Sequence, residues 1–209
     1  MKKIISLIIC IMILAISFRN VMAVDGNKIQ KSVASKIIRF HVIANSDLQE
    51  DQALKLKVRD KVLQYMQPKL KNSKNIQESR KILLENDNKI KKIAQQVVKK
   101  EGYTYKINTT LSNENFPVKT YGNITLPQGK YEAYRIIIGT GEGHNWWCVM
   151  FPPLCFVDIT RGEVANNETK SEMKKVLSDK EYKMVDNTIN NNVVLKFKII
   201  ESFKKILNN

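Results

Sequence analysis

The side chains best able to do chemistry crowd into one stretch, residues 143–158, which reads Gly-His-Asn-Trp-Trp-Cys-Val-Met-Phe-Pro-Pro-Leu-Cys-Phe-Val-Asp. It holds both tryptophans, one of the two histidines, and two of the three cysteines, Cys148 and Cys155. A thiol beside an imidazole can act as a nucleophile, with His144 or His41 as the base. The same four side chains, His41, His144, Cys148 and Cys155, are also of the kinds that hold zinc, although the tight CxxC or HxxxH pairs of strong zinc sites are missing. In an exported chain, an even pair of cysteines is more often a disulfide. A bridge needs Cβ atoms about 3.8 Å apart, which two strands folded back around Pro152-Pro153 would supply. So short a loop stabilises by only about 2–3 kcal/mol, enough to hold the shape of an aromatic hairpin. Reduced, buried thiols are the remaining alternative.

Trp146 and Trp147 are neighbours, so in a strand they point to opposite faces. One ring would anchor the core and the other reach solvent or a partner's groove. With His144, Asn145, Phe151, Pro152 and Pro153 they form a candidate partner-binding hot spot, for which core packing of both rings is the alternative. Residues 139–143, Gly-Thr-Gly-Glu-Gly, lack the Gly-Lys-Ser/Thr ending of a phosphate loop and read as a hinge beside the tryptophans.

Residues 1–23 have the pattern of a secretory signal, with Lys2 and Lys3 before an uncharged aliphatic run over residues 4–18. Val21-Met22-Ala23 places the expected cleavage after Ala23. A spanning helix needs about 20 apolar residues, and Arg19 closes this run too early. The formal charge of the 209-residue chain is +15. Such an excess favours anionic neighbours, among them an anionic membrane surface. Its lysines are spread along the chain without a recognition motif, which argues against nucleic acid.

Several elements must position this stretch. Residues 37–44 are apolar and β-branched enough for a buried strand. Ser46 with Gln49, or Asp47 with Glu50, has capping-box spacing for a helix whose stripe is Leu54, Val58, Val62 and Tyr65 and which Pro68 ends. Asn75 with Glu78 starts a second helical region over residues 76–100, and Gly102 stops it. The apolar rhythm changes at Glu85-Asn86-Asp87-Asn88, which predicts two shorter helices. Period-two alternation predicts a strand over residues 103–111 with Tyr103, Tyr105, Ile107, Thr109 and Leu111 on one face. Pro127-Gln128-Gly129 turns into a strand over residues 130–138. Extended segments are predicted on either side of Pro152-Pro153, at residues 146–151 and 154–159. Residues 161–192 read as a polar surface excursion with a helix or two, residues 193–200 as a strand, and residues 202–207 as a closing helix. The order of elements gives the α+β class, with helices packed on one face of a small mixed or antiparallel sheet. The expected organisation is a signal peptide over residues 1–23 and one domain over residues 24–209. Within that domain residues 36–160 form the best-defined core, and residues 161–209 a more variable part.

Three stretches together resemble the stage II sporulation protein R family of endospore-forming bacteria. They are Arg39-Phe40-His41-Val42-Ile43-Ala44-Asn45-Ser46-Asp47 with the residues Asp51 to Asp60 that follow, Asn115-Phe116-Pro117-Val118-Lys119-Thr120-Tyr121-Gly122, and residues 143–158. The resemblance implies a signalling protein made in the forespore and secreted into the space between forespore and mother-cell membranes. There the family triggers a membrane-bound aspartic protease of the mother cell, which cleaves the pro-form of sigma factor E. It implies no catalytic residue, no metal, no cofactor, no small-molecule substrate and no nucleic acid.

Overall fold

A computed structural model describes residues 27–156 and 163–188. Residues 27–34 form α1, followed by β1 (Ile38–Ile43), α2 (Gln49–Leu70) and α3 (Ile76–Lys100). Then come β2 (Ile107–Phe116), β3 (Lys119–Tyr121), β4 (Ile124–Leu126), β5 (Gly129–Ile138) and β6 (Asn145–Phe151). A 3-10 turn (Leu154–Phe156), α4 (Glu163–Val176) and α5 (Asp179–Val185) complete the described chain. The main sheet has the order β2-β5-β1-β6, with β1 parallel to β5 and the outer pairs antiparallel. The class is α+β with a mixed sheet, as the sequence predicts.

All six residues of β1 are buried, because both of its faces are covered. On one face Ile38, Phe40, Val42, Tyr134, Ile136 and Met150 meet the stripes of α2 (Leu54, Val58, Val62, Met66) and α3 (Leu83, Ile90, Ala94, Val98). These are the long helices expected on one face. The other face carries a second, smaller core built by Val33, Ile37, Phe116, Tyr131 and Val149 with the β3–β4 hairpin, α4 and α5. The predicted surface excursion thus does contain helices, but they bury Met173, Leu177, Tyr182 and Val185 rather than only skirting the surface. The capping box of α5, Ser178 with Glu181, doubles as a tie to the start of the chain. Glu181 also accepts from Ser32 Oγ at 2.5 Å and Lys36 Nζ at 2.6 Å.

Several local expectations are corrected. Helix α2 runs through Pro68 to Leu70. A proline there forgoes only its own amide bond in the final turn, and burial of Leu70 rewards continuing. The first residue before α2 is Leu48, and no side chain caps it. Ser46 and Asp47 have other partners, described below. Helix α3 is continuous across Glu85–Asn88 because its polar residues are satisfied by tertiary bonds. Asn86 accepts from Tyr65 Oη at 2.7 Å and donates to Ile82 O at 2.8 Å. Asp87 accepts from Thr109 Oγ1 at 2.5 Å and Tyr134 Oη at 2.8 Å, and pairs with Lys91 at 2.8 Å. Asn75 caps α3 as expected, accepting from the Glu78 amide at 2.8 Å, and Gly102 follows its end at φ 85.

Strand β2 starts at Ile107, not Tyr103. Tyr103 belongs to the end of α3, its amide donating to Val98 O at 3.0 Å, and its ring stacks on Tyr105 at 5.2 Å. The chain after Pro153 turns into a 3-10 helix instead of a returning strand. The predicted leader, its cleavage after Ala23, the strand over residues 193–200 and the helix over residues 202–207 lie outside the described residues.

Asp87 is what lets α3 pass its polar stretch. Replacing Asp87 with Ala strands the hydroxyls of Thr109 and Tyr134, and is expected to cost about 1–3 kcal/mol in urea unfolding followed by circular dichroism.

Candidate functional site

Strands β1 and β5 are parallel, so both end at the same edge of the sheet, where antiparallel β6 begins. Two connections therefore meet there, the β1–α2 loop and residues 139–144. Asn45 joins them. Its Oδ1 accepts from the Thr140 amide at 3.1 Å, its backbone O from Glu142 N at 3.2 Å and Thr140 Oγ1 at 3.0 Å, and its Nδ2 donates to Asp51 Oδ2 at 2.9 Å. Ser46 Oγ donates to the same Asp51 oxygen at 2.6 Å, and Gly143 N donates to Ala44 O at 3.0 Å. Burial pushes the Asp51 carboxyl upward, but hydrogen bonds from Ser46, Asn45 and Tyr105 outweigh it and hold it below the usual range.

Residues 139–143, read from the sequence as a hinge, are instead a lock. Gly139 sits at φ 61, in the region that suits glycine. A Cβ on Gly143 would lie 2.2 Å from Ser46 O, so only glycine lets the two backbones approach this closely. His144 extends the same lock. Its amide donates to Asp47 Oδ1 at 2.5 Å, its Nδ1 meets the same carboxylate, and its carbonyl accepts from Lys55 Nζ at 2.9 Å. These bonds hold the exposed Asp47 carboxyl below its ordinary value, the amide bond being the largest cause.

From this lock β6 runs along the sheet margin, and its side chains alternate. Trp146 packs edge-on against Phe40 on the long-helix face, 5.8 Å between centroids, with the Arg59 guanidinium 4.9 Å over its ring. Trp147 lies on the opposite face, stacked on His41 at 3.9 Å and edge-on to Phe116 at 4.7 Å. Both rings are half-buried, so each anchors a core and each keeps an accessible part. The expected division into one core ring and one free ring does not occur. Phe151, 4% exposed, and Pro152 are core residues, and Pro153 is half-buried. The accessible part of the candidate hot spot is therefore its first half, His144, Asn145, Trp146 and Trp147.

Cys148 and Cys155 form a disulfide, with 5.7 Å between their Cα atoms. It ties the 3-10 turn to β6, rather than joining two strands. Cys148 lies on the long-helix face, whereas His41, registered opposite Trp147, projects from the other face of the sheet. His144 stands at the head of β6 against Asp47, its side chain 79% exposed. The geometry thus does not assemble the Cys–His pair or the four zinc ligands considered from sequence. Among the described residues no three His, Cys, Asp or Glu side chains gather as a metal would require.

The sequence reading passed over one feature here, the role of Arg39. Arg39 is fully buried on the smaller-core face, its guanidinium 4.3 Å from the centre of the Phe116 ring, 5.0 Å from Tyr131 and 5.6 Å from Tyr121. Nη2 donates to Tyr121 Oη at 3.0 Å and Nε to Cys148 O at 3.3 Å. A charged residue inside an otherwise apolar strand is the signal that could have found it. Beside it His41, registered opposite Arg135, is held neutral. Burial, with the nearby positive charge of Arg135 and Arg39, lowers its pKa from 6.5 to about 4 against the opposing pull of Asn145 and Glu114.

Two outcomes are expected. Gly143→Ala forces Ser46 and the β1–α2 loop apart, an overpacking cost of about 1–3 kcal/mol readable in thermal unfolding. His41 has a folded pKa below its unfolded one, so acid is bound by the unfolded state first. Stability falls as pH drops from 6.5 and levels near 4, by on the order of 3 kcal/mol at most. His41→Phe removes that component of the pH dependence in urea titrations, leaving the carboxylate component at lower pH.

Comparison with known proteins agrees with the hallmark segments. The profile of stage II sporulation protein R matches residues 34–161. Stage II sporulation protein R of Bacillus subtilis (strain 168) is 38% identical over 191 residues, covering 86% of this chain and 84% of that protein. No solved structure matches. The profile begins at α1 and ends just past the disulfide, so it takes in the lock, the edge strand and the bridge, and the chain belongs to the stage II sporulation protein R family.

Proposed function

We propose that this sporulation protein is a secreted, non-enzymatic signal between the two compartments of the sporangium. It reaches the space between forespore and mother-cell membranes through its leader. There it docks on the outer part of a membrane-bound aspartic protease of the mother cell, and the protease processes pro-sigma-E. The observation that carries this reading is the family match across the lock and β6, where His144, Asn145, Trp146 and Trp147 stay accessible on a rigid frame. Aromatic rings held at low entropic cost, beside polar groups, are what protein-binding hot spots use. The disulfide suits an oxidising exterior. The strong positive charge, which loss of Lys2, Lys3 and Arg19 with the leader lowers but does not abolish, favours approach to anionic headgroups around a membrane receptor.

In this mechanism docking shifts the protease toward its active arrangement, for example its dimer, because the contacts are better in that state. Nothing in the mechanism requires the signal to make or break a bond.

The test adds the purified chain to vesicles carrying the protease and its sigma precursor. Processing is expected with the wild type and at least a tenfold loss with Trp147→Ala, the roughly 1.4 kcal/mol or more that loss of a hot-spot ring implies. His144→Ala, whose side chain lies outside the core and whose amide bond to Asp47 is kept, gives a second reading with no core ring removed. Circular dichroism and an oxidised-cysteine count confirm that each variant is folded. No processing by the wild type sinks the reading, and full activity of both variants removes this segment from the interface.

A further inference from the structure

Charge is divided unevenly between the two helical layers. Residues 49–101, which make α2, α3 and their connection, hold fourteen Lys and Arg against seven Asp and Glu. Residues 163–186, which make α4 and α5 across the sheet, hold five Lys against six Asp and Glu. Ion pairs neutralise only part of the excess. Lys57, Arg59, Arg80 and Lys91 have close carboxylate partners. Lys61, Lys74, Lys89, Lys92, Lys99 and Lys100 are exposed and have none among the described residues.

These cations share one side. Helices α2 and α3 lie antiparallel, aligned by the Tyr65–Asn86 bond at 2.7 Å and the Lys57–Glu101 pair at 2.5 Å. At about 1.5 Å per residue the pair is a slab roughly 35 Å long. Its apolar stripes face the sheet. Lys81, Lys92 and Lys99 recur close to whole helical turns, opposite the stripe of Leu83, Ile90 and Ala94. The exposed acids Glu50, Asp60, Glu78 and Glu85 dilute this field without reversing it. A polymer free to wrap the molecule would meet cations all round, whereas a one-sided field matches a planar polyanion.

We propose that the outer side of the α2–α3 pair rests on the anionic headgroups of a membrane. This rests on the export named in the reading above, deepens it by assigning the contact face, and needs no receptor. Attraction between lysines and such a surface fades within the screening length, about 8 Å at physiological salt. Lysines on the contact side therefore act, and those of the α4–α5 layer, beyond the sheet, do not. The sheet sits about one helix diameter, roughly 10 Å, above the headgroups. His144, Asn145, Trp146 and Trp147, at the sheet margin, then stand clear of lipid beside a receptor's outer part.

The test is co-sedimentation with vesicles of phosphatidylcholine, alone or in equal parts with phosphatidylglycerol. It uses the chain recovered after secretion, so that the leader's apolar run does not itself insert. Binding is expected only with phosphatidylglycerol, and should weaken as salt rises. Lys61→Glu, Lys89→Glu and Lys92→Glu together should lower it roughly tenfold or more. The same charge change on the far layer, Lys170→Glu with Lys174→Glu and Lys175→Glu, should leave it within about twofold. Circular dichroism confirms that both variants are folded. Equal losses in the two variants would mean that net charge alone acts, and overturn the proposed face. Equal binding to both vesicles would mean apolar insertion, and retention by purified wall polymer but not by vesicles would identify a wall polyanion as the occupant. Either result overturns the proposal. Vesicle binding without processing by the protease leaves this contact standing while the activation reading fails, and processing without vesicle binding does the reverse.

Discussion

The bond set around Asn45 and Asp51 is the constraint on which the rest of the structure leans. Parallel β1 and β5 deliver their chain ends to the same place, and each end exposes amides and carbonyls that must be satisfied. One asparagine side chain meets that demand for both, accepting from Thr140 and donating to Asp51, while its carbonyl takes Glu142. Asp51 stands in the first turn of α2, so the same cluster also sets where that helix begins. An acidic group in a first helical turn is favoured by the helix dipole, which adds to the hydrogen bonds that keep it ionised. Through His144 the cluster then aims β6. Sheet, helix and aromatic strand share one polar knot, and Gly143 is small because two backbones pass within it.

The smaller core is built on a different principle. A buried guanidinium normally needs a carboxylate, yet among the described residues Arg39 is met by aromatic faces, one tyrosine hydroxyl and one carbonyl. Cation–π attraction is strongest where water is excluded, which is where Phe116, Tyr121 and Tyr131 place it. Tyr121 lies on the β3–β4 hairpin, so the cation fastens that hairpin to the sheet. Burial disfavours the charged form and lowers the Arg39 pKa, with the two tyrosines opposing. The neighbouring imidazole of His41 responds to the same setting by staying neutral, and a neutral ring can stack on Trp147 without adding a second buried charge.

These two devices meet at β6. The lock fixes its beginning, and the Trp147–His41–Phe116 group and the disulfide fix its middle. A strand fixed in this way has little entropy left to lose on binding, which is how a small accessible surface can give useful affinity. That order, rather than the number of exposed side chains, is what the proposed signalling role would draw on.

How much of this was legible beforehand follows from what each pattern encodes. Alternation and helical stripes report which face of a segment is apolar, and on that basis β1, β5, α2 and the α+β class could be read from the chain. Asn75 and Gly102 bounded α3 because caps act within a few residues of themselves. The hallmark residues of 143–158 also pointed to one family without any structure. Other features depended on residues distant in the chain. Glu85–Asn88 looks like a helix break until Tyr65, Thr109 and Tyr134 arrive to satisfy it. Tyr103 continues the alternation of β2 yet belongs to the end of α3. Ser46 and Asp47 have capping spacing, but Asp51 and His144 claim them first. His41 and Cys148 are near in register yet on opposite faces, which no spacing reveals. Local preference settles what a segment can be, whereas a buried polar group must be paired wherever its partner lies, and that obligation is met only in three dimensions.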